Sequence, residues 1–146
     1  MSVQWQHYSG KKFFTLGAFK KKEGSTNRLL VDYNETNDVL AVKEILNPDI
    51  VKWYKPDLDL QRHEVKPPGS QTTDAFVREL IVKAELYKKN EAKKHVPYNL
   101  IDENCACWVN SLFKACGVDQ KTRLKAGEFS GVDWGEEDEI DASYFR

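Results

Sequence analysis

Cys105 occupies a position at which a thiol can act as a nucleophile. The stretch of residues 98–118 reads YNLIDENCACWVNSLFKACGV, and Cys105 follows Asn104 at the predicted start of an amphipathic helix. The first turn of a helix leaves backbone N–H groups unpaired and carries a partial positive charge, which favours the nucleophilic thiolate. The backbone N–H groups from Asn104 to Ala106 can also hold the oxyanion of an attacked carbonyl. The position predicts a nucleophilic cysteine; a packed core residue and a metal ligand are the alternatives.

The other two cysteines favour different interpretations. Cys107 lies two residues beyond Cys105, so it points about 200° away around a helix and does not share a site with it. Cys116, near the helix end, is predicted to be a small buried hydrophobic residue. Zinc sites need four converging ligands, usually from paired motifs, whereas these cysteines follow the spacing C-x-C-x8-C on one helix. We therefore expect neither a metal site nor a cofactor.

A cysteine nucleophile needs a base, which is usually a histidine held by a third polar group. The chain has three histidines, His7, His63 and His95. His95 stands in a predicted loop ten residues before Cys105 and is expected on the surface. His63 falls in a predicted strand, either at the edge of the core or in a site. The residue pattern by itself selects none of the three as the base.

The first third of the chain has strand character. The apolar runs FFTLGAF and LLVDY, separated by the turn residues EGSTN, predict a hairpin between residues 13–19 and 29–33. The following stretch DVLAVKEILNPD has apolar residues at helical spacing, with Asp38 as a candidate cap and Asn47-Pro48 as its end. Because this stretch is short, a strand is the competing interpretation.

Two further helices are predicted from longer apolar stripes. The first covers TTDAFVRELIVKAELYKKN, with Thr73 or Asp74 as its cap, and the stretch EAKKHVPY follows as a loop. The second extends from Cys105 to Cys116 and ends at Gly117. The aromatic residues of the C-terminal tail either pack back onto the domain or form a surface for a partner; they are Trp134, Tyr144 and Phe145.

The stretch around Cys105 resembles a known pattern, Y-x-L-x-x-x-N-C-x-x-F/W-V-x-x-L-x-x-x-G. The pattern marks circularly permuted papain-like thiol hydrolases. This clan includes lecithin:retinol acyltransferase-like enzymes and permuted relatives of NlpC-type cell-wall peptidases, and several bacterial effector domains also resemble it. The resemblance covers residues 65–118, and the matching positions are Tyr98, Leu100, Asn104, Cys105, Trp108, Val109 and Leu112. Gly117 lies one residue beyond the position of the final glycine of the pattern.

The resemblance implies an α+β fold, in which a small antiparallel sheet packs against helices, and a nucleophilic Cys105. It also implies a histidine that precedes the cysteine, for which His7 is the best match, with Asp32 as the residue that orients it. The family places its histidine directly on a strand, whereas HYSGKK intervenes here before FFTLGAF. Two alternatives follow: the base is His63, or the domain has kept the scaffold without catalysis.

Composition limits the class of protein. With 146 residues, of which 40% are hydrophobic, the chain fits a single domain over residues 1–146. The 22 basic and 23 acidic residues nearly balance, so no nucleic-acid partner is expected. No apolar run approaches the roughly 18 residues of a membrane span, and the N-terminus lacks the apolar core of a secretion signal. We expect a cytoplasmic protein, or one exported without a cleaved signal peptide.

Two functions follow from these observations. The first is a cysteine-dependent hydrolase or acyltransferase that acts on an amide or ester of a peptide, lipid or protein substrate through a Cys-His pair. The second is a catalytically inactive interaction module on the same fold, which binds a protein partner. A small metal-binding protein is the third class, and the cysteine spacing argues against it.

Overall fold

The computed structural model describes residues 3–47, 63–99, 105–127 and 139–146. The described residues form an α+β structure with two small antiparallel sheets. Four residues named in the sequence analysis lie outside the described residues; they are Pro48, Leu100, Asn104 and Trp134. The elements are β1 (Gln6–Tyr8), β2 (Lys11–Phe13), β3 (Leu16–Glu23), β4 (Thr26–Tyr33), α1 (Thr36–Leu46), α2 (Thr73–Lys93), α3 (Cys105–Ala115), α4 (Gln120–Gly127) and a C-terminal 3-10 helix (Ala142–Phe145).

The chain divides into two compact units. The first unit contains Met1–Gly17 and Asp32–Arg62, and the second contains Ala18–Val31 and His63–Arg146. In the first unit β1 pairs antiparallel with β2, and His7 lies opposite Lys12. Both residues of the connecting turn have positive φ, 51° at Ser9 and 73° at Gly10. A two-residue turn with this backbone matches the right-handed twist of the strands it joins, which accounts for the short hairpin.

Asn34 explains why the predicted strand 13–19 is wrong as a single element. Thr15 donates its N–H to Asn34 Oδ1 at 3.1 Å, and its carbonyl accepts the Asn34 N–H at 3.0 Å. The Asn34 side-chain amide also donates to the Gln4 carbonyl at 2.6 Å. Since these bonds occupy the backbone of Thr15, one strand ends at Phe13 and the next begins at Leu16.

The prediction of a helix after the second strand run is confirmed, and the competing strand is wrong. Its cap is Glu35 rather than Asp38, because the Glu35 carboxylate accepts the backbone N–H groups of Asn37 and Asp38. Burial raises the pKa of the Asp38 carboxyl, and the charge of Glu35 raises it further. The helix ends at Asn47 as predicted, and none of its residues is buried.

Strands β3 and β4 form a hairpin, of which Ala18–Val31 belong to the second unit. Residues 96–98 add a short segment to the other edge of β4. Leu29 donates its N–H to the Val96 carbonyl at 2.9 Å, and Tyr98 donates to the Asn27 carbonyl at 2.7 Å. This pairing connects the chain directly after α2 with the sheet. It therefore fixes the backbone of Tyr98, seven residues before Cys105.

Helix α2 is capped by Thr72, whose hydroxyl accepts the Ala75 N–H at 3.2 Å; the predicted caps at Thr73 and Asp74 are wrong by one or two residues. The helix also continues to Lys93, so the predicted loop begins later than expected. Its last turns contain Glu91, which is 1% exposed and pairs with Arg28 of β4. A buried carboxylate is tolerated because the guanidinium contacts both of its oxygens.

The end of α3 agrees with the prediction at Gly117. This residue has φ +83° and donates its N–H to the Lys114 carbonyl at 3.0 Å, while Val118 donates to Phe113 at 3.0 Å. These two bonds form a Schellman motif, which satisfies the last carbonyls of the helix. Val118 is buried and contributes to the core.

Tyr87 is at the centre of the core of the second unit. Its hydroxyl donates to the Leu29 carbonyl at 2.7 Å, and its ring lies 5.8 Å from Trp108 and 5.6 Å from Phe145 between centroids. All three aromatic side chains are almost completely buried. The aromatic tail therefore packs back onto the domain at Phe145, which was one of the two predicted alternatives.

Asn90 holds the C-terminal residues against α2, because its side-chain amide donates to the carbonyls of Ser143, Tyr144 and Arg146 at 3.0–3.3 Å. Replacing Asn90 with alanine removes these bonds and is expected to lower the free energy of unfolding by about 1–2 kcal/mol in a urea denaturation experiment. The exposed neighbour Lys89, replaced by alanine, is the matched control. An equal effect of both changes would contradict this role of Asn90.

Candidate functional site

Cys105 is the first residue of α3, and its side chain is exposed, as is that of Ala106. The other two thiols are buried: Cys107 is 1% exposed and Cys116 is 3% exposed. All three cysteines are described, and none forms a disulfide. Cys107 packs into the core beside Trp108, whereas Cys105 is exposed at the first residue of the helix. The prediction that Cys116 is a buried small residue is confirmed.

Burial also makes the thiols differ in protonation and in accessibility to reagents. Removal from water raises the pKa of the Cys116 thiol to about 12, and the charge of Glu79 contributes to the same shift. Cys116 therefore stays a neutral thiol at physiological pH. A solvent-borne electrophile reaches Cys105 without opening the core, whereas Cys107 and Cys116 are accessible only after local unfolding.

Tyr98 is a described side chain close enough to Cys105 for the charge of Cys105 to affect its pKa, and Lys20 lies beside Tyr98. Burial raises the pKa of the Tyr98 phenol, and the charge of Cys105 raises it further. The ammonium of Lys20 lies 5.7 Å from the centroid of the Tyr98 ring. The family pattern includes Tyr98. The sequence did not indicate that Lys20 lies beside it, because Lys20 is on a strand far away in the chain.

Trp108 lies one turn beyond Cys105 on α3. Its side chain is 0% exposed, and its indole N–H has no hydrogen-bond partner in the part of the structure that is described. A buried indole usually finds an acceptor for its N–H. The energetic role of Trp108 is therefore in the packing of its rings against Tyr87 and Phe145.

His63 lies at the other end of α3. It lines a cleft of about 490 Å³ together with Val118 and Asp119, which follow the C-terminal end of the helix. An α-helix of this length extends about 15 Å, so Cys105 and His63 lie at opposite ends of α3. The structure does not bring these two candidate residues together.

His7 and Asp32 belong to the first unit, whereas Cys105 belongs to the second. His7 is exposed in the middle of β1. Asp32 is exposed near the end of β4, and its carboxylate accepts the Tyr33 N–H at 2.8 Å. His95 is exposed after α2, as predicted.

The described residues contain neither a cluster of metal ligands nor a membrane-spanning helix. In these ranges no group of three or more His, Cys, Asp or Glu side chains is arranged to hold a metal ion. In the same part of the chain, no helix has the length and apolar character that crossing a membrane requires.

No protein-family model matches the chain, and no curated protein and no solved structure is found to be similar to it. The functional assignment therefore depends on the geometry around Cys105 and on the resemblance of its sequence motif.

Proposed function

We propose that this protein is a cysteine-dependent hydrolase or acyltransferase in which Cys105 attacks the carbonyl carbon of an amide or ester. The observation that carries the proposal is the exposed thiol at the first residue of an 11-residue helix, in a chain whose other two thiols are buried. The resemblance of residues 98–117 to permuted papain-like thiol hydrolases supports the same assignment.

The proposed reaction has two steps. The thiolate of Cys105 forms a bond to the carbonyl carbon, while the backbone N–H groups of the first helical turn, including that of Ala106, stabilise the oxyanion. The amine or alcohol leaves with a proton from the imidazolium, and a thioester remains on Cys105. Water or another acceptor then attacks the carbonyl carbon of the thioester and gives its proton to the imidazole; the C–S bond breaks, and the acid or the new acyl product leaves while the Cys105 thiolate is restored.

The proposal assigns the proton transfer to His7, with Asp32 as the group that orients the imidazole. The resemblance supports this choice, because the histidine of the family precedes its cysteine and comes from the first strand region. The position of His63 beyond the far end of α3 argues against the alternative base. If His7 is the base, replacing it with asparagine slows acyl transfer while Cys105 stays exposed.

A catalytically inactive interaction module is the second candidate function. The observation that favours it is the separation of Cys105 from His63, the candidate base of its own unit. In that case Cys105 is an exposed thiol without activation. Its reaction with electrophiles then follows the rate of a small-molecule thiol.

Alkylation of the folded protein with iodoacetamide at pH 6 distinguishes the two functions. We expect Cys105 to react at least about ten times faster than N-acetylcysteine, because the N–H groups of the first helical turn and a neighbouring base favour its reaction. Cys107 and Cys116 are expected to stay unmodified, and peptide mass spectrometry reads all three sites. The His7→Asn variant should react more slowly, and His63→Asn is its matched control.

The opposite result is equally clear. A Cys105 that reacts no faster than N-acetylcysteine, with no effect of either histidine substitution, would exclude the proposed nucleophile and support the interaction module. Slowing by His63→Asn alone would transfer the role of base to His63.

A further inference from the structure

A second candidate site lies in a cleft at the C-terminal end of α2, here called the lysine cleft. It encloses about 490 Å³ and is lined on one side by Lys93, Lys94 and His95. The opposite side is formed by Ile140, Asp141 and Tyr144. A volume of this size is within the range of about 300–1,000 Å³ that small-molecule sites occupy.

Three consecutive residues at the end of α2, Lys93, Lys94 and His95, line one cleft. Within a helix, successive side chains diverge by about 100°. The helix ends at Lys93, however, and Lys94 has extended backbone angles of −139° and 103°. The change from helix to extended chain allows Lys93, Lys94 and His95 to line the same cleft, which three consecutive helical residues do not do.

No described residue forms a hydrogen bond or ion pair with the side chains of these three residues. Elsewhere lysines do have partners: Lys88 lies 3.6 Å from Glu85, and Lys114 lies 2.6 Å from Glu139. The dipole of α2 favours cations at its C-terminal end. It does not require them to line the same cleft.

The acids near the lysine cleft already have partners. Asp141 caps the C-terminal 3-10 helix and accepts the Ser143 N–H at 2.8 Å. The hydrogen bonds from Ser143 lower the pKa of the Asp141 carboxyl, and the charges of Lys94 and Arg146 lower it further. Glu23 lies close enough to His95 to sense its charge, and Arg28 binds Glu23 at 2.6 Å. With two lysines and one aspartate, the lining of the cleft carries a positive formal charge.

The lysine cleft also has an apolar wall, which includes Val96 and Ile140 and the ring of Tyr144. The first two side chains are 3% and 5% exposed. The Tyr144 hydroxyl donates to the Lys94 carbonyl at 3.0 Å, and this bond connects the wall to the cationic side. A ligand that contacts both the basic residues and the apolar wall has a compact anionic group attached to an organic group.

We propose that the lysine cleft binds a small organic phosphate, with the phosphate on Lys93, Lys94 and His95 and the organic body against Tyr144 and Ile140. Lysines bind phosphate as point charges, and two or more cations suit a dianion. This site does not depend on the proposed chemistry of Cys105.

Isothermal titration calorimetry on the full chain at low salt tests the proposal. The probes are adenosine monophosphate and glucose 6-phosphate, and the reference ligands are adenosine and inorganic phosphate. We expect at least one organic phosphate to bind with Kd below about 1 mM and more tightly than both reference ligands. Failure of both to do so would overturn the proposal.

Removing a positive or a negative charge from the cleft should change the affinity in opposite directions. Lys94→Gln is expected to weaken binding of the organic phosphate about tenfold, and Lys89→Gln, on the exposed face of α2, should leave it unchanged. Asp141→Asn keeps an oxygen acceptor for the cap but removes the negative charge, so it should strengthen binding severalfold. Equal weakening by Lys94→Gln and Lys89→Gln, or no gain from Asp141→Asn, would mean that the cleft does not hold the anion.

Discussion

Replacing Trp108 with alanine is expected to lower the free energy of unfolding by about 3–5 kcal/mol. The indole is 0% exposed and packs edge-on against Tyr87, with a centroid distance of 5.8 Å. Its rings also lie 6.4 Å from Phe145, so the truncation opens a cavity between α2, α3 and the C-terminal residues. Urea denaturation followed by circular dichroism measures the loss.

Two further substitutions on α3 give this prediction its controls. Val109 is only half-buried on the same helix, and Val109→Ala should cost less than about 1.5 kcal/mol. Trp108→Phe keeps an aromatic ring and removes an indole N–H that has no described partner, so it should cost clearly less than Trp108→Ala. A loss as large as that of the alanine variant would show that the N–H makes an essential hydrogen bond.

The apolar stripes of the sequence predicted α2 and α3 well, because an 11-residue or longer helix repeats its core-facing positions several times. The caps were harder to predict. Thr72, Thr73 and Asp74 are all good cap residues, and only the structure shows which hydroxyl reaches the Ala75 N–H. The extension of α2 through Glu91 depends on Arg28, which is 63 residues away in the chain.

The first strands show the same limit. The residues 13–19 are apolar enough for one strand, and the break at Thr15 is caused by bonds to Asn34, 19 residues later. The local pattern of apolar residues does not indicate a hydrogen bond between residues so far apart in the chain. Long-range hydrogen bonds of one side chain therefore decide boundaries that propensity leaves open.

The candidate site was predicted in part, for a comparable reason. The burial of Cys116 follows from its helical spacing to Trp108 and Leu112. The same spacing places Cys105 on that stripe, so the pattern did not predict its exposure at the first residue of α3. The position of Lys20 beside Tyr98 follows from the pairing of Tyr98 with Asn27, which no local pattern encodes. The lysine cleft depends on where α2 ends, and the predicted loop over EAKKHVPY placed that end too early.

Replacing Cys105 with alanine is expected to abolish transfer of the acetyl group from p-nitrophenyl acetate to the protein, with almost no effect on folding. The thiol is exposed at the helix start, so its removal opens no cavity and should change the free energy of unfolding by less than about 0.5 kcal/mol. The release of p-nitrophenol measures the reaction, and mass spectrometry of the peptides shows which cysteine carries the acetyl group.

Cys107→Ala is the matched control, because it removes a thiol two residues away on the buried face of the same helix. Truncating this packed side chain should cost stability while acetylation of Cys105 continues, since the thiolate and the N–H groups of the first turn remain. Loss of the nucleophile should thus remove activity without loss of stability. Loss of the packing residue should lower stability without loss of activity. If Cys105→Ala instead destabilised the protein as much as Cys107→Ala does, Cys105 would be a structural residue and the proposed reaction would lose its nucleophile.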